Sequence, residues 1–92
     1  MPKLRELKKY SNPAEVERRA SRLHLTVRVS SRKDKKYMLL DGTRKIHFGQ
    51  MGYQDATFHR DPARIKNFKT RNHKWASYPK ASAAYLSYHL LW

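Results

Sequence analysis

Leu25-Thr26-Val27-Arg28-Val29 alternates apolar and polar residues at every step. That is the period of a half-buried strand and is incompatible with a helical stripe. Ser30 to Lys35 is polar and turn-like, Tyr37-Met38-Leu39-Leu40 reads as a second strand, and Asp41-Gly42 is a strong hairpin signal. Arg44 to Phe48 makes a third strand, with Ile46 and Phe48 on one face and Lys45 and His47 on the other. Residues 25–48 are therefore predicted to form a three-stranded antiparallel meander. Three strands with one apolar face are close to the smallest stable sheet, and that face needs a cover.

The flanking segments supply helices. Asn12-Pro13-Ala14-Glu15 combines a capping side chain, a proline at the first helical position and a glutamate three residues after the cap. A short helix is predicted from Pro13 to about Leu23, with Val16, Ala20 and Leu23 as its apolar face. Gly49 and Gly52 bracket a loop that runs to Arg60. Asp61-Pro62 repeats the cap-plus-proline signature and opens a second helix to about Trp75. Its stripe of Ile65, Phe68 and Trp75 is the expected cover for the sheet, with Arg64 and Arg71 flanking it. Ser82 to Trp92 is a possible last short helix, apolar all the way round. An apolar end of this kind is either tucked into the domain or docked on a partner. The expected architecture is one small α+β domain over residues 12–92, a meander packed against a basic helix with a short N-terminal helix and an apolar C-terminal segment. Residues 1–11 are read as a basic N-terminal arm.

Length and composition set the limits. A chain of 92 residues holds one domain, with a small core and a stability of a few kcal/mol. Cysteine is absent, which excludes disulfides, thiolate metal sites and a cysteine nucleophile. No apolar run approaches the length of a membrane span, and MPKLRELKKY lacks the apolar stretch of a signal peptide. Charge is the outstanding feature: 21 Lys and Arg stand against 7 Asp and Glu, a net charge of +14. All seven acids fall between Glu6 and Asp61. From Pro62 onward only cations remain, Arg64, Lys66, Lys69, Arg71, Lys74 and Lys80, interleaved with Trp75, Tyr78, Tyr85, Tyr88 and Trp92. A second cluster is Arg28, Arg32, Lys33, Lys35 and Lys36, and a third is Lys3, Arg5, Lys8 and Lys9. Such clusters neutralise phosphates and release counterions, which gives salt-sensitive binding without sequence preference.

Signals for catalysis are weak. There is no glycine-rich phosphate loop and no Gly-x-Ser-x-Gly elbow. His47, Asp55, His59, Asp61 and His73 lie near the hairpin-to-helix passage, and a hairpin followed by a helix is the skeleton of the ββα metal nucleases. The acid expected beside the strand histidine is missing, because Ile46 and Phe48 flank His47, and Asp61 is better explained as a helix cap. No metal, cofactor or small-molecule substrate is expected, and the protein is read as a non-enzyme. Aromatics have two uses here. Phe48, Phe68 and Trp75 are assigned to packing, whereas Tyr53 and Tyr78, in loops beside cations, are candidates for stacking on unpaired bases.

Lys35-Lys36-Tyr37-Met38, the Asp41-Gly42 turn, His47-Phe48-Gly49, Tyr53-Gln54-Asp55-Ala56-Thr57-Phe58-His59, Asp61-Pro62, Arg64, Arg71 and the ending Leu86-Ser87-Tyr88-His89-Leu90-Leu91-Trp92 come in a distinctive order. In that order they resemble a small uncharacterised domain family of large nucleocytoplasmic DNA viruses, algal and amoebal viruses among them. The resemblance covers the chain from Lys35 onward. Ala56 departs from it, standing where a larger, often aromatic residue is expected. The resemblance carries no known activity or catalytic residues. What it implies is a setting: a viral protein, packaged in the virion or present in the host nucleus or cytoplasm during assembly.

The leading expectation is a sequence-independent binder of nucleic-acid backbone, DNA above all, with phosphate contacts from Lys33, Lys35, Lys36, Arg64, Lys66, Lys69, Arg71 and Lys74. The alternative is a minor capsid protein, its charge set against acidic capsid surfaces and its Leu90, Leu91 and Trp92 docked on larger coat subunits. A metal-dependent ββα nuclease is the third and weakest reading.

Overall fold

The computed structural model describes residues 2–92 and bears out the α+β class. Strands β1 (Thr26–Val29), β2 (Lys35–Asp41) and β3 (Arg44–Gln50) form one antiparallel sheet in the order β1-β2-β3. Val27 pairs with Leu39 and Val29 with Tyr37, and across the second ladder Leu39 pairs with Ile46 and Tyr37 with Phe48. This register puts the alternate apolar residues of all three strands in adjoining rows on one face. The Tyr37 and Phe48 rings meet across the strands at 5.8 Å. Gly42, at φ +62°, supplies the left-handed backbone of the hairpin turn between the paired Asp41 and Arg44.

Helix α1 (Pro2–Leu7) and helix α2 (Pro13–Arg22) precede the sheet. The Asn12 side chain caps α2 by accepting a hydrogen bond from the Glu15 amide, and Val16 and Ala20, one turn apart, are buried. The helix ends in two reversed bonds, His24 N–H to the Ser21 carbonyl and Leu25 N–H to the Ala20 carbonyl, around His24 at φ +59°. This is the Schellman closure, and it delivers the chain straight into β1. The segment read as a basic arm is thus part of the packed unit. Leu7 is fully buried, Leu4 packs against the core, and the Lys3 ammonium, 2.7 Å from the Ser30 carbonyl, ties α1 to the β1–β2 turn. Met1 of that segment lies outside the described residues.

After the sheet come α3 (Ala56–His59), α4 (Pro62–Arg71), a 3₁₀ turn (His73–Ser77), α5 (Ala83–Leu86) and its π-helical continuation (Ser87–Leu91). The cover of the sheet differs from expectation in one respect. No residue of α4 is buried, whereas Tyr85, Leu86, Leu90 and Leu91 join Leu7, Val16 and Ala20 over Val27, Tyr37, Leu39 and Phe48. The reason is apolar area: α4 offers Ile65 and Phe68, while the C-terminal segment is apolar on all sides and must be enclosed. Among the described residues no helix is long and apolar enough to cross a membrane.

Candidate nucleic-acid interface

Helix α4 begins where Asp61 accepts hydrogen bonds from the amides of Ala63 and Arg64, with Pro62 in the first turn. It then runs over the outside of the molecule. Arg64, Lys66 and Arg71 are exposed, as is Lys74 just beyond the helix end. Lys69 is half-buried, its ammonium 5.4 Å from the centre of the Tyr88 ring. Among the described residues none of these five cations takes part in an ion pair; the ion pairs lie elsewhere, Glu6 with Lys9, Glu15 with Arg18 and Arg19, and Asp34 with Arg32. Four of the expected phosphate contacts of the final third therefore lie on α4, and Lys74 lies in the 3₁₀ turn that follows it.

The hairpin cations divide. Lys33 is exposed in the β1–β2 turn, and Lys35 is half-buried with its ammonium 3.3 Å from the Gln50 side-chain oxygen. Lys36 is not a surface cation. Its side chain and that of Asp55 are each 2% exposed and form an ion pair of 3.0 Å. The assignment of Lys36 to phosphate contact is corrected accordingly: a cation enclosed with its counter-ion offers no charge to a ligand. Burial lowers the Lys36 pKa, with the Asp55 charge opposing that shift. Asp55 also accepts from the Thr57 amide at 3.0 Å and from the Thr57 hydroxyl. That hydroxyl accepts from the Asn12 amide and meets Ser11, which shares a 2.7 Å hydrogen bond with the Tyr37 phenol. Gly49 packs closely against the Lys36 stem. At φ +79°, it sits where an added Cβ would lie 3.2 Å from Lys36 Cβ and 2.9 Å from Leu91.

The Lys36–Asp55 pair forms part of the wall of a cleft of about 520 Å³ between the end of β3, the following loop, α4 and the C-terminal segment. Aromatic rings dominate it. Trp92 stacks on Phe68 with centroids 4.3 Å apart and planes 5° from parallel, and Trp75 meets Phe68 edge-on at 5.8 Å. Tyr53, from the loop after β3, also lines the cleft and is 70% exposed. Gln50, Gln54, Lys35 and His47 add polar groups to the lining, and His47 Nδ1 is held 2.6 Å from Ser30 Oγ. Tyr78, the other stacking candidate, is exposed but does not line the cleft. Phe68 and Trp75, expected in the core, are half-buried cleft walls instead. Nothing in the sequence marks Gln50 or Gln54 as a site residue: Gln50 ends β3 and Gln54 follows Gly52 in the next loop.

Leu90 and Leu91 are fully enclosed in this chain's own core, and Arg19 holds the Leu90 carbonyl at 3.3 Å. Trp92 is half-buried against Phe68 and His59. The docking role expected for Leu90 and Leu91 is corrected: as folded they are internal, because burying them here removes their apolar surface from water, and Trp92 is left as a partly exposed wall of the cleft.

The five possible metal-ligating residues are not brought together. Asp55 is neutralised by Lys36, Asp61 caps α4, His59 Nδ1 accepts from the Asp61 amide at 3.0 Å, and His73 Nδ1 lies 3.3 Å from the Thr70 carbonyl. Among the described residues no three His or acidic side chains form a group able to hold a metal ion. His59 is packed beside Trp92, and its pKa is lowered by burial first and by the Arg64 charge second.

The chain belongs to a family of unknown function (DUF5754), whose model matches residues 25–75, from the first strand of the sheet to Trp75. No curated protein and no solved structure matches the chain.

Proposed function

We propose that this protein is a non-enzymatic binder of nucleic-acid backbone, DNA above all, without sequence specificity. One observation carries the reading. Helix α4 buries none of its residues and presents Arg64, Lys66, Lys69 and Arg71 with no acidic partner among the described residues. A helix that contributes so little to the core and so much uncompensated charge is suited to an anionic surface. Lys74 extends the cationic row, and Lys33 and Lys35 add to it from the hairpin. The setting that goes with this proposal, from the resemblance, is a large DNA virus, with the protein virion-associated and lying against the genome.

The test is equilibrium binding to labelled duplex and single-stranded DNA across a series of salt concentrations. Affinity that falls steeply with salt, with a log–log slope equivalent to several phosphates, is the expected result. Weak binding at low salt, or binding indifferent to salt, overturns the proposal.

A further inference from the structure

The aromatic cleft has properties that backbone binding does not use. Its volume of about 520 Å³ lies within the range of about 300–1,000 Å³ common to small-ligand sites. Its rings are arranged in two parts. Trp92, Phe68 and Trp75 meet one another by stacking and edge contacts, so that wall is already assembled before anything binds. Tyr53 lines the same cleft and is the most exposed of the large apolar side chains among the described residues, which leaves its ring free to close on a flat occupant.

The polar groups point the same way. Gln50 and Gln54 are exposed at the cleft and carry amides that both donate and accept, the combination that satisfies base edges of any identity. Lys35 is positioned beside Gln50 by their 3.3 Å hydrogen bond. The one acidic side chain of the lining, Asp55, is neutralised by Lys36. On α4, Arg64 and Arg71 stand four residues before and three residues after Phe68, the spacing that places side chains on one helix face.

We infer that the cleft receives one unpaired base of a single-stranded nucleic acid, between Tyr53 and the Trp92–Phe68–Trp75 wall. Lys35 and the cations of α4 take the phosphates on either side. The inference rests on the proposed nucleic-acid function and adds a preference for single strands to it. Duplex bases are already stacked and paired, so a duplex reaches the phosphate contacts but not the cleft.

The two tryptophans of the chain, Trp75 and Trp92, both line the cleft, so intrinsic fluorescence reports its occupancy. The protein is titrated with a single-stranded oligonucleotide, the same strand made wholly abasic, the matching duplex, and a nucleoside monophosphate. The expected result is a saturable fluorescence change with the base-bearing strand alone, reduced about tenfold in affinity by Tyr53→Ala. Tyr53 packs too little for that substitution to threaten folding. Equal affinity for abasic and base-bearing strands, or indifference to Tyr53→Ala, overturns the base site while the backbone reading stands. A monophosphate that binds as tightly as the strand overturns the commitment to a strand. No binding of any strand or duplex at low salt overturns both readings.

Discussion

Lys36 Nζ lies 3.0 Å from Asp55 Oδ2, with both side chains 2% exposed, and the pair joins the second strand to the N-cap of α3. The Tyr10 carbonyl is the only other acceptor near the ammonium among the described residues, at 3.4 Å. Removing one partner of such a pair leaves an enclosed charge with little to compensate it. Asp55→Ala is expected to cost about 3–5 kcal/mol in urea unfolding. In a double-mutant cycle, Lys36→Met and Asp55→Asn should be coupled by about 1–3 kcal/mol, where independent residues add. Lys36→Met should also leave the duplex-DNA affinity of the folded protein unchanged, unlike loss of a surface phosphate contact, because a duplex does not reach the cleft that Lys36 lines.

Leu90 separates an internal tail from a docking one. Buried completely beneath Arg19 and within the core cluster, it should cost about 2–5 kcal/mol when replaced by alanine. For a domain of this size each kcal/mol lowers Tm by about 4–8 °C, so thermal unfolding reads the effect directly. Tyr78→Ala, at an exposed position, should stay within about 0.5 kcal/mol. A Leu90→Ala variant as stable as the wild type would mean that the tail is not held in the core.

Tyr37 should make the fold alkali-sensitive. Burial holds its phenol well above the ordinary value of 10.0. Between those two values the unfolded chain gives up a proton that the folded chain keeps. The stability this group contributes is therefore complete below pH about 10 and is lost as pH rises through the folded value. Tyr37→Phe should cost about 1 kcal/mol at neutral pH, from the lost Ser11 bond. It should also flatten the alkaline decline, so that urea midpoints of the two proteins converge above pH about 10. Parallel declines would mean that the phenol titrates alike in both states.

The meander was legible because its signals are local: strict alternation from Leu25 to Val29, a hairpin dipeptide, and the Asn12 and Asp61 caps. The N-terminal helix was hidden because Leu4 and Leu7 sit among Lys3, Arg5, Lys8 and Lys9, so a buried stripe of two residues looks like a solvated charge run. Lys36 was hidden for the same reason within Lys33-Asp34-Lys35-Lys36. What distinguishes it is a partner 19 residues away and a glycine across the ladder, neither of which periodicity reveals. The C-terminal segment did carry its signal, since a helix apolar on every side has to be enclosed. The weaker stripe of Ile65, Phe68 and Trp75 was read as core because it had helical spacing. Spacing alone does not say how much area a helix buries, and here it builds a cleft wall. The cleft itself was not legible, because its residues come from β3, the loop after it, α4 and the chain's last ten residues.

Charge reversal on α4 and the 3₁₀ turn that follows it goes most directly to the backbone-binding claim. Lys66→Glu, Arg71→Glu and Lys74→Glu change only exposed side chains without ion-pair partners among the described residues, so circular dichroism and Tm should match the wild type. Combined in one protein and titrated against DNA across a salt series, they should weaken binding at every salt concentration. The log–log slope should fall by about one for each phosphate contact removed. A variant that stays folded and keeps both the affinity and the slope of the wild type would show that this helix does not face nucleic acid.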